Sequence, residues 1–204
     1  GVLLYDIESD PDARHDFLHG FLRLPRQSDG RWDLAAATYH PLLVMAEHGE
    51  QRSWLRLQRL LSRYDGWPIL HYGETETLSL RRLAQRQGAS DAQLRRLKRR
   101  LVDVHARIRS HWRLPLSSYG LKSVAAWRGF RWSHAGVDGA RALLWWRQWL
   151  GEGPKRRGSR HCLEWIFLYN QDDCRATWAV AEWLLEEDDL LNTAQRLDQP
   201  TAGR

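Results

Sequence analysis

The stretch VLLYDIES at residues 2–9 joins an apolar run to two carboxylates, Asp6 and Glu8. The apolar run predicts a buried β-strand over residues 2–6. In a strand, residues i and i+2 point to the same face. Asp6 and Glu8 are therefore expected to aim at one spot at the end of this strand.

A second acidic fragment, YNQDDCRAT at residues 169–177, lies near the other end of the chain. It falls in a helical pattern, where Tyr169 and Asp173, four residues apart, share a face. Carboxylates that distant segments bring together over a strand end form a hard-oxygen site suited to Mg²⁺ or Mn²⁺. The two fragments together predict such a site.

The composition indicates one basic, globular domain. The chain has 204 residues, a net charge of +6 and an isoelectric point near 9.7, and 28 of its 31 basic residues are arginine. Arginine binds phosphate with a bidentate fork and stacks on bases. A basic surface around an acidic pocket is typical of a nuclease, although a genomic bias towards arginine explains the excess equally well. Most of the twelve tryptophans are expected in the core, with a few available for base stacking.

The two cysteines, Cys162 and Cys174, lie on one predicted helix. A helix rise of about 1.5 Å per residue puts them roughly 18 Å apart, far beyond the reach of about 7 Å for a disulfide. This arrangement favours a reducing, cytoplasmic location. No apolar run approaches the length of about 18 residues that a membrane span needs, and no signal peptide precedes the first strand. The abrupt start suggests a domain of a longer protein.

The pattern along the chain predicts an α/β fold with a mixed central β-sheet flanked by helices. A turn is expected at residues 9–12 and a basic loop at 151–158. One domain is expected over residues 1–187, followed by a flexible tail at 188–204. The predicted strands cover residues 2–6, 15–24, 38–46 and 67–71, and the predicted helices cover about 48–63, 75–88, 91–101, 138–150 and 159–187, with a short helix opening within 118–125.

The two acidic fragments resemble motifs of the DEDD, or DnaQ-like, 3′–5′ exonuclease superfamily, which has the ribonuclease H-like fold. Asp6 and Glu8 match its first motif, Asp-x-Glu. Tyr169 and Asp173 match the tyrosine (DEDDy) version of its third motif. The resemblance covers about residues 2–185 and is greatest to predicted prokaryotic RNase H-like exonuclease domains that are sometimes fused to RecB-like nucleases.

Two further details agree with this resemblance. Thr177, four residues beyond Asp173, fits the family's Asp-x-x-x-Thr tendency, which favours Asp173 over its neighbour Asp172 as the ligand. The stretch 118–125, with Gly129 behind it, resembles the family's Ser-Leu-Lys-Ser-Leu-Ala helix. Serine or cysteine nucleophiles have no supporting motif.

The second motif departs from the family pattern. The family has His-Asn-x-x-Phe-Asp after a strand, whereas this chain has HYGETE at residues 71–76, so that Glu76 falls where the aspartate is expected. We take Glu76 as the remaining carboxylate, with Asp103 as the rival ligand or as a support for one. His71 is expected to be structural, and His161 is expected on the surface.

The resemblance implies a metal-dependent 3′–5′ exonuclease that acts on DNA, with single-stranded ends favoured, through two divalent ions (Mg²⁺ or Mn²⁺). Asp6 would bridge the ions, Glu8 and Asp173 would bind one, Glu76 would support the other, and Tyr169 would orient the attacking water. An endonuclease or RNase of the same fold, and a nucleic-acid-binding module with a decayed site, are the alternatives.

Two surface features leave alternatives open. The helix over residues 91–101 carries five basic residues, which form either a solvated face or a nucleic-acid contact. The tryptophan-rich helix over residues 138–150 belongs either to the core or to the interface of a homo-oligomer.

Overall fold

The computed structural model describes residues 1–45, 49–152 and 157–197. The first strands and helices are β1 (Val2–Asp10), β2 (His15–Leu24), β3 (Thr38–Leu43), α1 (Gly49–Arg63), β4 (Ile69–His71) and α2 (Glu74–Arg86). They are followed by α3 (Asp91–Arg100), β5 (Leu101–Asp103), α4 (Val104–His111), α5 (Leu121–Trp127), α6 (Gly139–Glu152) and α7 (Arg157–Leu197).

The five strands form one mixed sheet in the order β3-β2-β1-β4-β5. The strands β1, β2 and β3 are antiparallel neighbours joined by connections without helices, whereas β4 and β5 run parallel to β1 and are reached through helices. Parallel neighbours need such a crossover, while antiparallel ones do not. The predicted α/β class with a mixed sheet is confirmed, and β1 occupies its centre.

Both faces of the sheet are covered, because alternate side chains of β1 point to opposite sides. Leu3 and Tyr5 pack against α1, α2 and α3 on one face. Val2 and Leu4 pack against α4, α5 and α7 on the other. Asp6 and Glu8 continue the alternation of the second set, so the strand presents its carboxylates to α7.

The strand β1 is longer than the pattern predicted, since it continues through Asp10 with a register shift between Glu8 and Ser9. The turn begins only there, because the Asp10 carboxylate accepts hydrogen bonds from the amides of Asp12 (3.1 Å) and Ala13 (3.2 Å). Aspartate commonly closes a turn in this way.

Several other boundaries differ from the prediction. The last helix does not end near residue 187 but continues through Leu197, while residues 198–204 of the predicted tail lie outside the described residues. The predicted loop at 151–158 is helical at both ends, and its centre, 153–156, also lies outside them. The three-residue strand β5 was missed, because it follows α3 without any turn signal.

One face of the tryptophan-rich helix α6 belongs to the core, while Leu144 and Leu150 of the same helix are exposed. Trp146 and Trp149 are buried, and Trp146 stacks on Phe17 with ring centroids 4.4 Å apart. The two cysteines are buried, and neither forms a disulfide. Among the described residues, no helix combines the length and the apolar character needed to cross a membrane.

Candidate active site

Three carboxylates converge where β1 meets the middle of α7. One oxygen each of Asp6, Glu8 and Asp173 lies within 4.8 Å of the other two. Glu8 is 5 % exposed and Asp173 is 8 % exposed. Strand alternation positions the first two side chains and α7 supplies the third, so residues about 165 positions apart in the sequence meet at one point.

The side-chain amide of Asn170 separates two of these carboxylates. Its Nδ2 donates to Asp6 Oδ2 at 2.7 Å and lies 3.4 Å from Glu8 Oε1. Its Oδ1 accepts from the Tyr39 hydroxyl at 2.7 Å, which fixes the orientation of the amide. Asn170 is fully buried, and its side-chain amide holds Asp6 and Glu8 in place.

The close approach of α7 to the sheet depends on Gly20 in β2. A Cβ atom built on Gly20 would lie 1.6 Å from Asn170 Oδ1 and 2.9 Å from the Tyr39 hydroxyl. Any side chain at this position would displace the amide. Gly20 is also the register partner of Asp6, so the smallest residue of β2 lies directly beside the site.

Asp173 has one partner from another segment, Trp132, and one from its own helix, Tyr169. The indole Nε1 of Trp132 donates to Asp173 Oδ1 at 2.6 Å. Tyr169, one helical turn earlier on α7, lies beside the same carboxylate, and both neighbours counteract the raised pKa of Asp173. The cation nearby is Lys122 of α5, whose amino group lies 5.1 Å from the centre of the Tyr169 ring and lowers the pKa values of Glu8 and Asp173.

Crowding of the acids in a buried place raises their pKa values. Burial raises the pKa of Asp6 and of Glu8 well above the ordinary range, and repulsion from Asp173 raises both further. Burial also raises the pKa of Asp173 to about 6. Carboxylates this close together are not all ionised unless a cation is bound. Without a cation, some of them keep their protons.

Glu76 lies at the start of α2, on the wall of the same cavity. Burial raises the pKa of Glu76 to about 7, with smaller contributions from Asp103 and Asp173. Its Oε2 atom is buried and has no hydrogen-bond partner among the described residues. Glu76 is close enough to raise the pKa of Asp6, although it stands outside the tight group of three.

Asp103, the rival of Glu76, ends β5 and caps α4. Its Oδ1 accepts from the amide of Gly73 at 3.1 Å and from the amide of Ala106 at 3.0 Å. One oxygen of Asp103 is therefore occupied by backbone, in contrast to the unpartnered oxygen of Glu76.

The Tyr169 phenol remains neutral. Burial raises the pKa of Tyr169 far above its usual value, and the charges of Asp173 and Glu8 raise it further. A phenol in this state donates a hydrogen bond but does not accept a proton as a base.

The acids line an open cavity of about 640 Å³, a size common for ligand sites. Its opposite wall is formed by the backbone and small side chains that precede and begin α5. Its polar lining includes Asp6, Glu76, Ser118, Lys122, Tyr169 and Asp173. Lys122 also lines an adjoining cavity with Phe130, Arg131 and Trp132.

The remaining predicted residues lie outside the carboxylate cluster. Asp172 accepts from the Ser133 amide at 2.8 Å and lies 3.7 Å from Arg175. Both ring nitrogens of His71 are hydrogen-bonded, to Gly73 and Thr77. His161 is largely exposed beside Glu164, and the buried hydroxyl of Thr177 has no partner among the described residues.

Sequence reasoning missed Asn170, Trp132 and Lys122 as parts of this site. Asn170 precedes Asp173 by three residues and so shares its helix face, which was an available signal. Lys122 lies in a stretch that was noted for its helix and not for its charge. Trp132 lies in a loop, and no spacing rule links a loop tryptophan to an aspartate 41 residues later.

The donor set fits divalent cations. All members are hard carboxylate oxygens, as Mg²⁺ and Mn²⁺ prefer. The raised pKa values and the unpartnered Glu76 oxygen show a site whose negative charge and hydrogen-bonding capacity are not compensated by protein groups alone.

A family model described as the RNase H superfamily matches residues 3–185. The strands of the sheet and the acids of its central strand lie within this match. Searches of curated proteins and of solved structures gave no significant match.

Proposed function

Because the chain belongs to the RNase H superfamily, we propose that it is a metal-dependent 3′–5′ exonuclease that hydrolyses DNA from single-stranded 3′ ends. The coarser conclusion, a nuclease with a nucleic-acid substrate, comes from the family and the fold. Direction of cleavage and preference for DNA are the proposal.

One observation carries the proposal: Asp173 of α7 lies within 4.8 Å of Asp6 and Glu8 of β1, and Tyr169, one helical turn before Asp173, lines the same cavity. Tyr169 lies close enough to Asp173 to lower the pKa of the aspartate. This arrangement is the one that resemblance to the tyrosine-type exonucleases implies, because the tyrosine belongs to the water-orienting part of their site.

The carboxylates would hold two divalent ions, with Asp6 between them, Glu8 and Asp173 on one and Glu76 beside the other. Bound there, such ions supply a hydroxide at neutral pH and offset charge on the attacking and leaving oxygens. Tyr169 would orient the attacking water as a neutral donor. Lys122, which faces the same cavity, would contact the phosphate as a point charge.

The first test is a time course with a 5′-labelled single-stranded DNA and a matched RNA, in Mn²⁺, Mg²⁺ or EDTA. We expect a metal-dependent ladder that shortens from the 3′ end of the DNA. A circular single-stranded DNA of the same sequence tests for endonuclease activity, since it has no end and should remain intact.

Asp173→Asn and Asp172→Asn form a matched pair for this assay. The first removes charge from the cluster and should abolish cleavage. The second alters the neighbour that pairs with Ser133 and Arg175, and should leave most of the activity. Cleavage of the circular DNA would show that the protein is an endonuclease and not an exonuclease. DNA binding without cleavage in any metal would indicate a decayed site.

A further inference from the structure

A second cavity, of about 410 Å³, lies between the edge strand β3 and helix α1. Arg56, Arg59 and Arg63 of α1 form one wall, and His40 lies on the strand side. The three arginines recur at helical spacing, so their side chains leave the helix on one face. We call this cavity with these four residues the arginine groove.

The arginine groove is positively charged without compensation. None of its three arginines forms an ion pair with an acidic side chain in the described ranges. All three are exposed. By contrast, Arg86 of the neighbouring helix and Arg96 of α3 are each paired with a carboxylate.

His40, which lies inside the groove, is affected by the same positive charges. Its Nε2 atom is buried and has no hydrogen-bond partner among the described residues. Burial lowers the pKa of His40, and Arg63, Arg23 and Arg56 lower it further by repulsion. A neutral imidazole with an unpartnered nitrogen, surrounded by guanidinium groups, is a place where an anionic ligand would be stabilised.

The arginine groove lies on the α1 face of the sheet at the edge strand β3, whereas the carboxylate cluster lies on the α7 face. Asp6, Gly20 and Pro41 are register partners on three successive strands, which puts the outer edge roughly 10 Å from Asp6 at about 4.8 Å per strand. Tyr39 connects the two sites: it lines the groove, and its hydroxyl donates to Asn170.

From this placement we propose that the arginine groove binds phosphates of the nucleic-acid strand several nucleotides away from the bond that is cut. The proposal rests on the proposed function. Each strand of B-form DNA carries one charge per roughly 3.4 Å, and an extended single strand spaces its phosphates more widely, so the edge of the sheet, roughly 10 Å from Asp6, lies about two or three nucleotides from the metal site. The occupant is a phosphodiester backbone, because uncompensated guanidinium forks suit phosphate.

The test compares two double charge reversals with the same change in net charge. Arg56→Glu with Arg59→Glu alters the groove, and Arg95→Glu with Arg99→Glu alters exposed, unpaired arginines on α3. Binding of a 5′-labelled 20-nucleotide single-stranded DNA is measured by fluorescence anisotropy in EDTA. We expect about tenfold weaker binding for the groove variant at 0.1 M salt, and a salt slope shallower by about 1.4.

A short substrate separates failure of this proposal from failure of the proposed function. Neither double variant should slow hydrolysis of the p-nitrophenyl ester of thymidine 5′-monophosphate, which is too short to reach the groove. Equal loss of 20-mer binding in both variants, or no loss in the groove variant, would refute phosphate binding by the groove. Cleavage by the wild type would still support the proposed function. Groove-dependent binding by a wild-type protein that cuts nothing supports the groove and overturns the exonuclease.

Discussion

Asn170 lies between two carboxylates that repel one another, and its amide is oriented by Tyr39. Partners that hold metal-binding carboxylates typically change metal affinity or activity by about 10–100-fold when removed. We expect Asn170→Ala to weaken Mn²⁺ binding by an amount in this range, measured by titration calorimetry.

Tyr39→Phe is the matched control for Asn170. It removes only the hydroxyl that orients the amide, so its effect on Mn²⁺ binding should be the smaller of the two. Thermal melting of both variants separates a loss of packing from a loss of the site. Unchanged Mn²⁺ affinity in a folded Asn170→Ala protein would show that Asn170 does not position the carboxylates for the metal.

Glu76 and Asp103 differ in the hydrogen bonds that their carboxylate oxygens accept. Glu76 has an oxygen without a partner, whereas Asp103 accepts two backbone amides. We therefore expect Glu76→Gln to lose most metal-dependent cleavage with little change in melting temperature. Asp103→Asn retains a carbonyl acceptor and should keep its activity, so the reverse pattern would make Asp103 the ligand.

At the scale of elements, β1 and α7 were predictable because each follows a strong rule. Alternation placed Asp6 and Glu8 together, and the four-residue spacing placed Tyr169 beside Asp173. Their meeting was not deducible from either pattern, because it depends on Gly20 allowing α7 close to the sheet. Glu76 was found by its position after a strand, but its distance from the group of three is set by the turn at Gly73.

Helix α3 shows where a periodic pattern misleads. Its five basic residues suggested one solvated or nucleic-acid-binding face, yet Arg100 is buried. The guanidinium group donates to the carbonyls of Leu61, Tyr64 and Trp67 at 2.8–3.0 Å. Leu61 lies in the last turn of α1, and Tyr64 and Trp67 follow its end, so Arg100 connects α3 to the end of α1 and to the segment that leads into β4.

Arg100→Met should destabilise the fold by about 2–3 kcal/mol, because buried carbonyls would lose charged donors. Arg99→Met on the same helix is the control, since Arg99 is exposed and should change the free energy of unfolding by less than about 0.5 kcal/mol. Urea denaturation measures both. Equal values for the two variants would show that the carbonyl contacts contribute nothing to stability.

At the scale of the whole molecule, the buried acids couple metal binding to folding. Asp173 and Glu76 have folded-state pKa values of about 6 and about 7, above their ordinary values of 3.8 and 4.5. Raised values mean that the folded protein binds protons more tightly than the unfolded chain does. Their contribution to stability is therefore present below about pH 4 and is lost as the pH rises towards 7.

Without metal, the melting temperature should accordingly fall between pH 5 and pH 8, and Mn²⁺ should restore it most at pH 8, where protons no longer compete. An ion at 100 times its dissociation constant adds about 2.7 kcal/mol, which corresponds to a rise of roughly 5–10 °C for a chain of this size.

Asp6→Asn should raise the metal-free melting temperature at pH 8 and abolish the response to Mn²⁺. Asp91→Asn, at an exposed position, should behave as wild type in both respects. A melting temperature that rises with pH in EDTA would contradict the raised pKa values, because the four acids would then be ionised and compensated within the protein itself.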